Sequence, residues 1–506
     1  MTQKQDQAQT DPQVHLILKR YKKAADERSS WQSLWQDCYR YTVPEQAHFF
    51  GFSSVSMRQM RDHLYDATAG DAAEQLAASI LGYLAPPWSN WLGIVPGGHV
   101  PEDRKKELSA VLEQAAQAVL SRLDQSNFAS ELHQCLMDLV VGGTACLHVG
   151  ASAPDSPIPF TLRAVPLYEA VMAADENGCL TSFYRLRDVT RDQMMGLIPG
   201  HRKEDDVFKS VLDASNETVF QILEFSEKDK KGYQTGIILL SNNTDPVMIY
   251  NVHAVHSPFI MFRWMKMAGE SYGRSPVMKV LPDIKTANKV VELILKNASI
   301  AVTGIWQADD DGVLNIAAVD LVPGAIIPKA MGSAGLTPLQ MPARFDVSQL
   351  VLDDLRARIR HAMLTDRFSQ FDGRRMTATE VNERSDDIFM ILSAVYGRLQ
   401  SELLDPLVKV LYGLMRERGD VPDLPLDGRY AQIVFRSPLA RLQARKTLTP
   451  LLEWMDQAMR LPGDTAARLN TDALLDYAAD IMGIPAHFIM PKAAIQNNEN
   501  TDIHSH

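Results

Sequence analysis

Cysteine is scarce in this chain. Its 506 residues hold four, Cys38, Cys135, Cys146 and Cys179, with no CxxC and no zinc-ligand spacing. Such spacing points to neither a disulfide framework nor a zinc site, and buried free thiols in a reducing compartment are expected. Long apolar runs are missing as well. None approaches the ~18 residues a membrane span needs, and the N-terminal MTQKQDQAQTDPQ has no apolar signal core. Synthesis and retention in the cytoplasm are expected, with no membrane partner. There is no basic excess either: 51 Lys+Arg stand against 62 Asp+Glu, a formal net charge of -11. This argues against gripping nucleic acid over a broad basic surface, though not against a wall past which nucleic acid slides. A P-loop and HExxH are absent, so the chain is no translocating ATPase. Neither an internal repeat nor a heptad array is present.

What is there is ordinary for a globular protein, with 46% apolar and 22% charged residues. The length exceeds one core and predicts roughly two to four subdomains. Polar tails at 1–12 and 493–506 have nothing to bury and are expected to be disordered. Apolar spacing predicts helices over 13–41, with Leu18, Tyr21, Ala25, Leu34, Trp35 and Cys38 on one stripe, and over 62–84, 102–123 and 128–141. Gly142-Gly143 should end the last of these. From Ala145 to Trp264 short alternating runs separated by turns, such as Glu176-Asn177-Gly178, predict twisted antiparallel strands.

Two helices follow. One should begin after Pro282 and run over 283–299. The other covers 347–363, with Val351, Leu355, Ile359 and Ala362 on its apolar side. Each would be about 25 Å long. They bracket a Gly-, Pro- and Ala-rich insert with short β runs. After the loop 365–375, Thr377-x-x-Glu380 reads as a capping box opening a helix over 378–418, about 60 Å if straight. Pro406 should kink it and Gly419 end it. A strand, AQIVFRS, and helices near 441–460 and 471–482 complete the chain.

No catalytic constellation stands out. Asp309-Asp310-Asp311-Gly312 lacks the full calcium-loop spacing and fits a solvated turn. His253 and His256 have no evident co-ligand and fit a β-edge or packing role. Pro86-Pro87-Trp88 with Trp91 reads as a packed aromatic corner. Arg367, Phe368, Phe371, Arg374 and Arg375 mix cations with aromatics, which suits phosphate contact and base stacking but also a solvated loop. Lys285, Lys289 and Lys296 lie on one side of the first bracketing helix, and Arg356 and Arg360 lie opposite the apolar stripe of the second. These read equally as solvated helix faces.

Four segments carry more than pattern: LYDATAGDAAEQLAASILGYLAPPWSNW (64–91), GESYGRSPVMKVLPDIK (269–285), MTATEV (376–381) and FRSPLARLQ (435–443). With them in this order, the chain resembles the head-to-tail connector (portal) proteins of short-tailed, podovirus-like bacteriophages over roughly residues 18–489. The resemblance implies an α+β portal-type fold. Its parts would be an α/β wing at 13–281, a two-helix stem at 282–300 and 346–363 and a small β clip at 301–345. A tunnel loop would follow at 364–376, and then the long helix, a returning wing strand and a helical crown at 377–492. About twelve such chains would close a ring at one capsid vertex. The implied partners are double-stranded DNA passing without sequence specificity, terminase, tail adaptor, major capsid and scaffolding proteins. No catalytic residue, metal or cofactor is implied, and the place of action is the virion. Arg367, Phe368, Phe371, Arg374 and Arg375 would lie in the tunnel loop, and Lys285, Lys289, Lys296, Arg356 and Arg360 on the channel face of the stem. A non-phage helical scaffold built on the long helix and an enzyme with an unrecognised active site remain as alternatives.

Overall fold

The computed structural model describes residues 12–47, 63–153, 155–197, 218–240, 246–303, 306–307, 337–338, 345–368, 393–460, 474–475 and 477–479. The polar tails, Asp309–Gly312, most of the insert, MTATEV and the expected start of the long helix lie outside these residues.

Helices occupy the first third, as the apolar spacing requires. α1 (Pro12–Thr42) and α2 (Pro44–Ala47) meet at Val43-Pro44, where the proline ring disfavours helical backbone just before it. The buried face of α1 is Val14, Ile17, Ala24, Trp35, Cys38 and Tyr39, while Leu18, Tyr21, Ala25 and Leu34 are only partly covered. The stripe turns because the helix serves two cores, a sheet near its start and a helix layer near its end. α3 (Thr68–Leu84) buries Ala69, Ala72, Ala73, Leu76, Ala77 and Ile80. α4 (Glu102–Asp124) and α5 (Phe128–Gly142) follow, and α5 ends on Gly143 at φ +79°.

The β-rich stretch forms two antiparallel sheets. β2 (Thr144–Ala151) lies between β3 (Phe160–Val165) and β9 (Phe259–Arg263), with Cys146 opposite Val165 and Met261. The second sheet runs in chain order: β4 (Ala170–Ala174), β5 (Leu180–Thr190), β6 (Val219–Asp229), β7 (Gly232–Leu240) and β8 (Val247–Ala254). A short α6 (Arg191–Leu197) follows β5. β1 (Leu92–Pro96) pairs with the late strand β12 (Ala431–Phe435), Ile94 opposite Ile433. The pattern of LGIVP is too short to announce a strand, and its partner is far downstream.

α7 (Pro276–Thr303) and α8 (Phe345–Ala362) pack together and bracket β10 (Trp306–Gln307) and β11 (Thr337–Pro338), which pair antiparallel. α7 begins two turns earlier than expected and carries Pro282 inside. The bond lost at the proline is offset by burial of Val277, Val280, Leu281, Ile284 and Ala287 on one face. α8 buries Leu352, Leu355, Ile359 and, just past its end, Met363, leaving Val351 exposed. Leu355 and Ile359 lie on the buried side as expected, and Leu352 and Met363 widen it because the helix faces both α7 and α3. A four-residue α9 (Thr365–Phe368) stands where a loop was expected.

Helical residues 393–399 pass through a π turn, Gln400–Leu404, into α10 (Asp405–Arg418), which ends on Gly419 at φ +81°. The wider turn just before Pro406 accommodates the missing N–H where a kink was expected. α11 (Pro438–Met459) is capped by Ser437, whose Oγ accepts the Ala440 N–H at 3.3 Å.

One core joins α1, α3, α4 and α5 to the three-stranded sheet, α7, α8 and α10. A smaller one packs the start of α1 on the five-stranded sheet through Val14, Ile17, Tyr184, Leu223 and Phe225. Two expectations about burial are corrected. Cys179 is exposed, unlike Cys38, Cys135 and Cys146, because it sits in a hairpin turn. Trp88 is 91% exposed at φ +62°. Only Trp91 of that corner is packed, stacked between Phe128 and Phe435 at 6.3 and 6.5 Å.

Candidate functional site

The α7–α8 pair is where the chemistry-bearing residues gather, and its root is built from the marker segments. Ser275 Oγ accepts the Met278 N–H at 2.9 Å and donates to the Val141 carbonyl at 2.8 Å, so it both caps α7 and ties it to α5. Pro276 then occupies the first helical position, where no N–H is needed.

Further along α7, Asn288 receives the Tyr65 and Asp66 N–H groups on Oδ1 at 2.7 and 3.1 Å and donates Nδ2 to the His63 carbonyl at 3.1 Å. The Asp66 carboxylate takes Arg356 Nε of α8 at 2.9 Å. Burial alone would raise the Asp66 carboxyl, but the Thr68 hydroxyl and amide, with Arg356, hold it below its ordinary value. Both α7 and α8 are thereby latched to the segment just before α3. Neither Asn288 nor Asp66 was singled out by sequence reasoning. The only hint was that Asp66 lies within the LYDATAG marker.

The five cations singled out on α7 and α8 do not share one environment. Lys285 pairs with Asp37 of α1 at 2.7 Å and lies over the Tyr41 ring. Arg356 is held by Asp66. Lys289 and Lys296 both reach Glu292 on their own helix, at 2.9 and 2.6 Å. Hydrogen bonds from Lys296 and Lys289 hold the Glu292 carboxyl down to about 2. Arg360 is exposed near the end of α8. Arg367 and Phe368 lie in α9, while Phe371, Arg374 and Arg375 lie outside the described residues. His253 Nδ1 lies 3.8 Å from Asp229 Oδ2 on the edge strand β8, both side chains exposed. Among the described residues no helix is long and apolar enough to cross a membrane.

A family described as bacteriophage head to tail connecting protein matches residues 14–490. The chain belongs to this family. The connector is 25% identical over 504 residues to the probable portal protein of Bordetella phage BPP-1, covering 94% of this chain and 88% of that one. It is 24% identical over 420 residues to the portal protein of Enterobacteria phage T3 and 23% identical over 428 residues to that of Escherichia phage T7, each time covering 80% of this chain and 75% of the relative. In the connector, three of the four marker segments have visible structural work. LYDATAG supplies the latch for α7 and α8, GESYGRSP the start of α7, and FRSP the cap of α11.

Proposed function

We propose that this connector is a phage portal: a ring of about twelve copies at one capsid vertex. It would pass double-stranded DNA during packaging and ejection, dock terminase on one side and seat tail proteins later. Major capsid and scaffolding proteins would set it into the shell. The observation that carries this reading is the family match over residues 14–490, together with relatives named portal protein across most of the chain. The role is structural: the chain positions other molecules and passes one of them.

The assignment of parts follows the same reading. The wing is 13–281, the stem 282–300 and 346–363, the clip 301–345, the tunnel loop 364–376, and 377–492 hold the long helix, the returning strand and the crown. The α7–α8 pair suits a channel wall because it is rooted in the wing by Asn288 and by the Lys285–Asp37 and Arg356–Asp66 pairs. In this arrangement Lys285 and Arg356 set the angle of the stem. Arg360 and the tunnel-loop residues Arg367, Phe368, Phe371, Arg374 and Arg375 face the passing DNA, arginine meeting phosphate without reading bases. A net acidic chain keeps that contact weak enough for sliding.

Negative-stain electron microscopy with light-scattering mass tests the reading. Rings with a central hole and a mass near twelve subunits are expected. A monodisperse dimer or trimer without a hole contradicts it.

A further inference from the structure

The outward sides of the two stem helices carry apolar and charged residues in matching order. On α7 the side turned from the core runs Pro282, Thr286, Lys289, Leu293 and Lys296, at helical i,i+3/i+4 spacing. On α8 the side opposite Leu352, Leu355 and Ile359 runs Leu350, Asp353, Asp354, Ala357 and His361. Leu293 is 48% and Leu350 73% exposed. Each stands beside charge of one dominant sign: lysines on α7, aspartates on α8.

Height along the stem matches too. Asp283 of α7 meets Arg358 of α8 at 3.7 Å, and Asn288 and Arg356 meet the same residue, Asp66. Counting along the pair in opposite directions from these contacts puts Leu350 within about one helical turn of Leu293 in height, and Asp353 likewise with Lys289. Rotation about a ring axis parallel to the stem preserves height. Two different patches at one height on one hairpin can meet head to tail between neighbouring copies in a ring.

We propose that Leu293 and Lys289 on α7 of one copy seat against Leu350 and Asp353 on α8 of the next. The lysine stripe then closes the ring instead of lining the DNA path. This contact rests on the portal reading. Glu292 supports it by holding Lys289 and Lys296 along the flank of Leu293, which makes a polar rim around an apolar centre.

The test introduces Leu293→Cys and Leu350→Cys together in a Cys179→Ser background, which removes the exposed native thiol and leaves the three buried ones. Assembled protein is treated with a short bis-maleimide and run on a denaturing gel. A ladder of covalent multimers ending at the closed ring is expected, with none from either single-cysteine variant. Intact rings that give no ladder overturn the contact and leave the portal reading standing. If the unsubstituted chain forms no rings, the portal reading fails and the contact with it. In a second arm, Lys289→Asp and Asp353→Lys each lower the ring yield, and the two together restore it. Single variants that assemble at the unsubstituted yield overturn the ion pair.

Discussion

Arg263, the last residue of β9, is gripped by Glu402 from the π turn. Its Nη2 lies 2.6 Å from Oε1, and its backbone N–H donates to Oε2 at 2.9 Å. The Arg263 side chain is only 1% exposed and also donates to the Gly178 and Ser271 carbonyls at 3.0 and 3.4 Å. One carboxylate thus joins the three-stranded sheet to the helix carrying α10, at the turn that relieves Pro406.

Removing that carboxylate strands a buried guanidinium. Glu402→Ala is expected to destabilise the fold by about 3 kcal/mol, because breaking one side of a buried pair costs far more than the pair contributes net. Glu402→Gln, which keeps an acceptor, should cost less. The urea midpoint reports both, and an unchanged midpoint for the alanine variant rules the clamp out.

A second buried carboxyl gives a pH dependence. Asp138 of α5 accepts the Tyr39 hydroxyl at 2.6 Å, and burial pushes its carboxyl up to about 6, against lowering by the Tyr39 and Leu167 hydrogen bonds. Unfolded, it titrates at the ordinary value of 3.8. Between these values the folded chain binds the extra proton, so stability from this group is greatest below about pH 4 and falls as pH rises to about 6. The slope is at most about 1.4 kcal/mol per pH unit. Melting from pH 4 to 7 should show the unsubstituted chain losing stability relative to Asp138→Asn, and a constant difference would contradict the assignment.

The GESYGRSP marker owes one of its glycines to a backbone contact. A Cβ on Gly273 would lie 2.3 Å from the Gly143 carbonyl oxygen, and one on Gly143 would lie 2.3 Å from that of Gly273. Gly143 also sits at φ +79°, where only glycine is unstrained. Gly273→Ala is therefore expected to cost about 1–3 kcal/mol by overpacking at the root of α7. Chemical denaturation measures it, and a neutral result would mean the two loops slide apart freely.

Arg367→Glu combined with Arg374→Glu should leave ring formation intact and impair DNA packaging or retention. Packaged genome length and titre in a phage carrying the double variant are the readouts. Normal values for both would remove these residues from the channel.

Most helices were legible because burial on one face imposes a 3.6-residue period, and their ends were legible where Gly143 and Gly419 supply left-handed caps. The strands of the middle third were legible as alternation between turns. Family membership was legible in a few short segments. Tertiary structure alone decided the rest. Pro282 lies within a helix because packed side chains on either side outweigh one lost backbone bond. Trp88 faces solvent while Trp91 is buried, since only the latter meets Phe128 and Phe435. β1 exists because a strand from far downstream completes it. Lys285 and Lys289 look alike in sequence, yet one meets Asp37 across α1 and the other stays on its own helix with Glu292. Local order comes from neighbours a few residues apart and is written along the chain. The choice of partner for a charge or a strand depends on which distant segment arrives beside it.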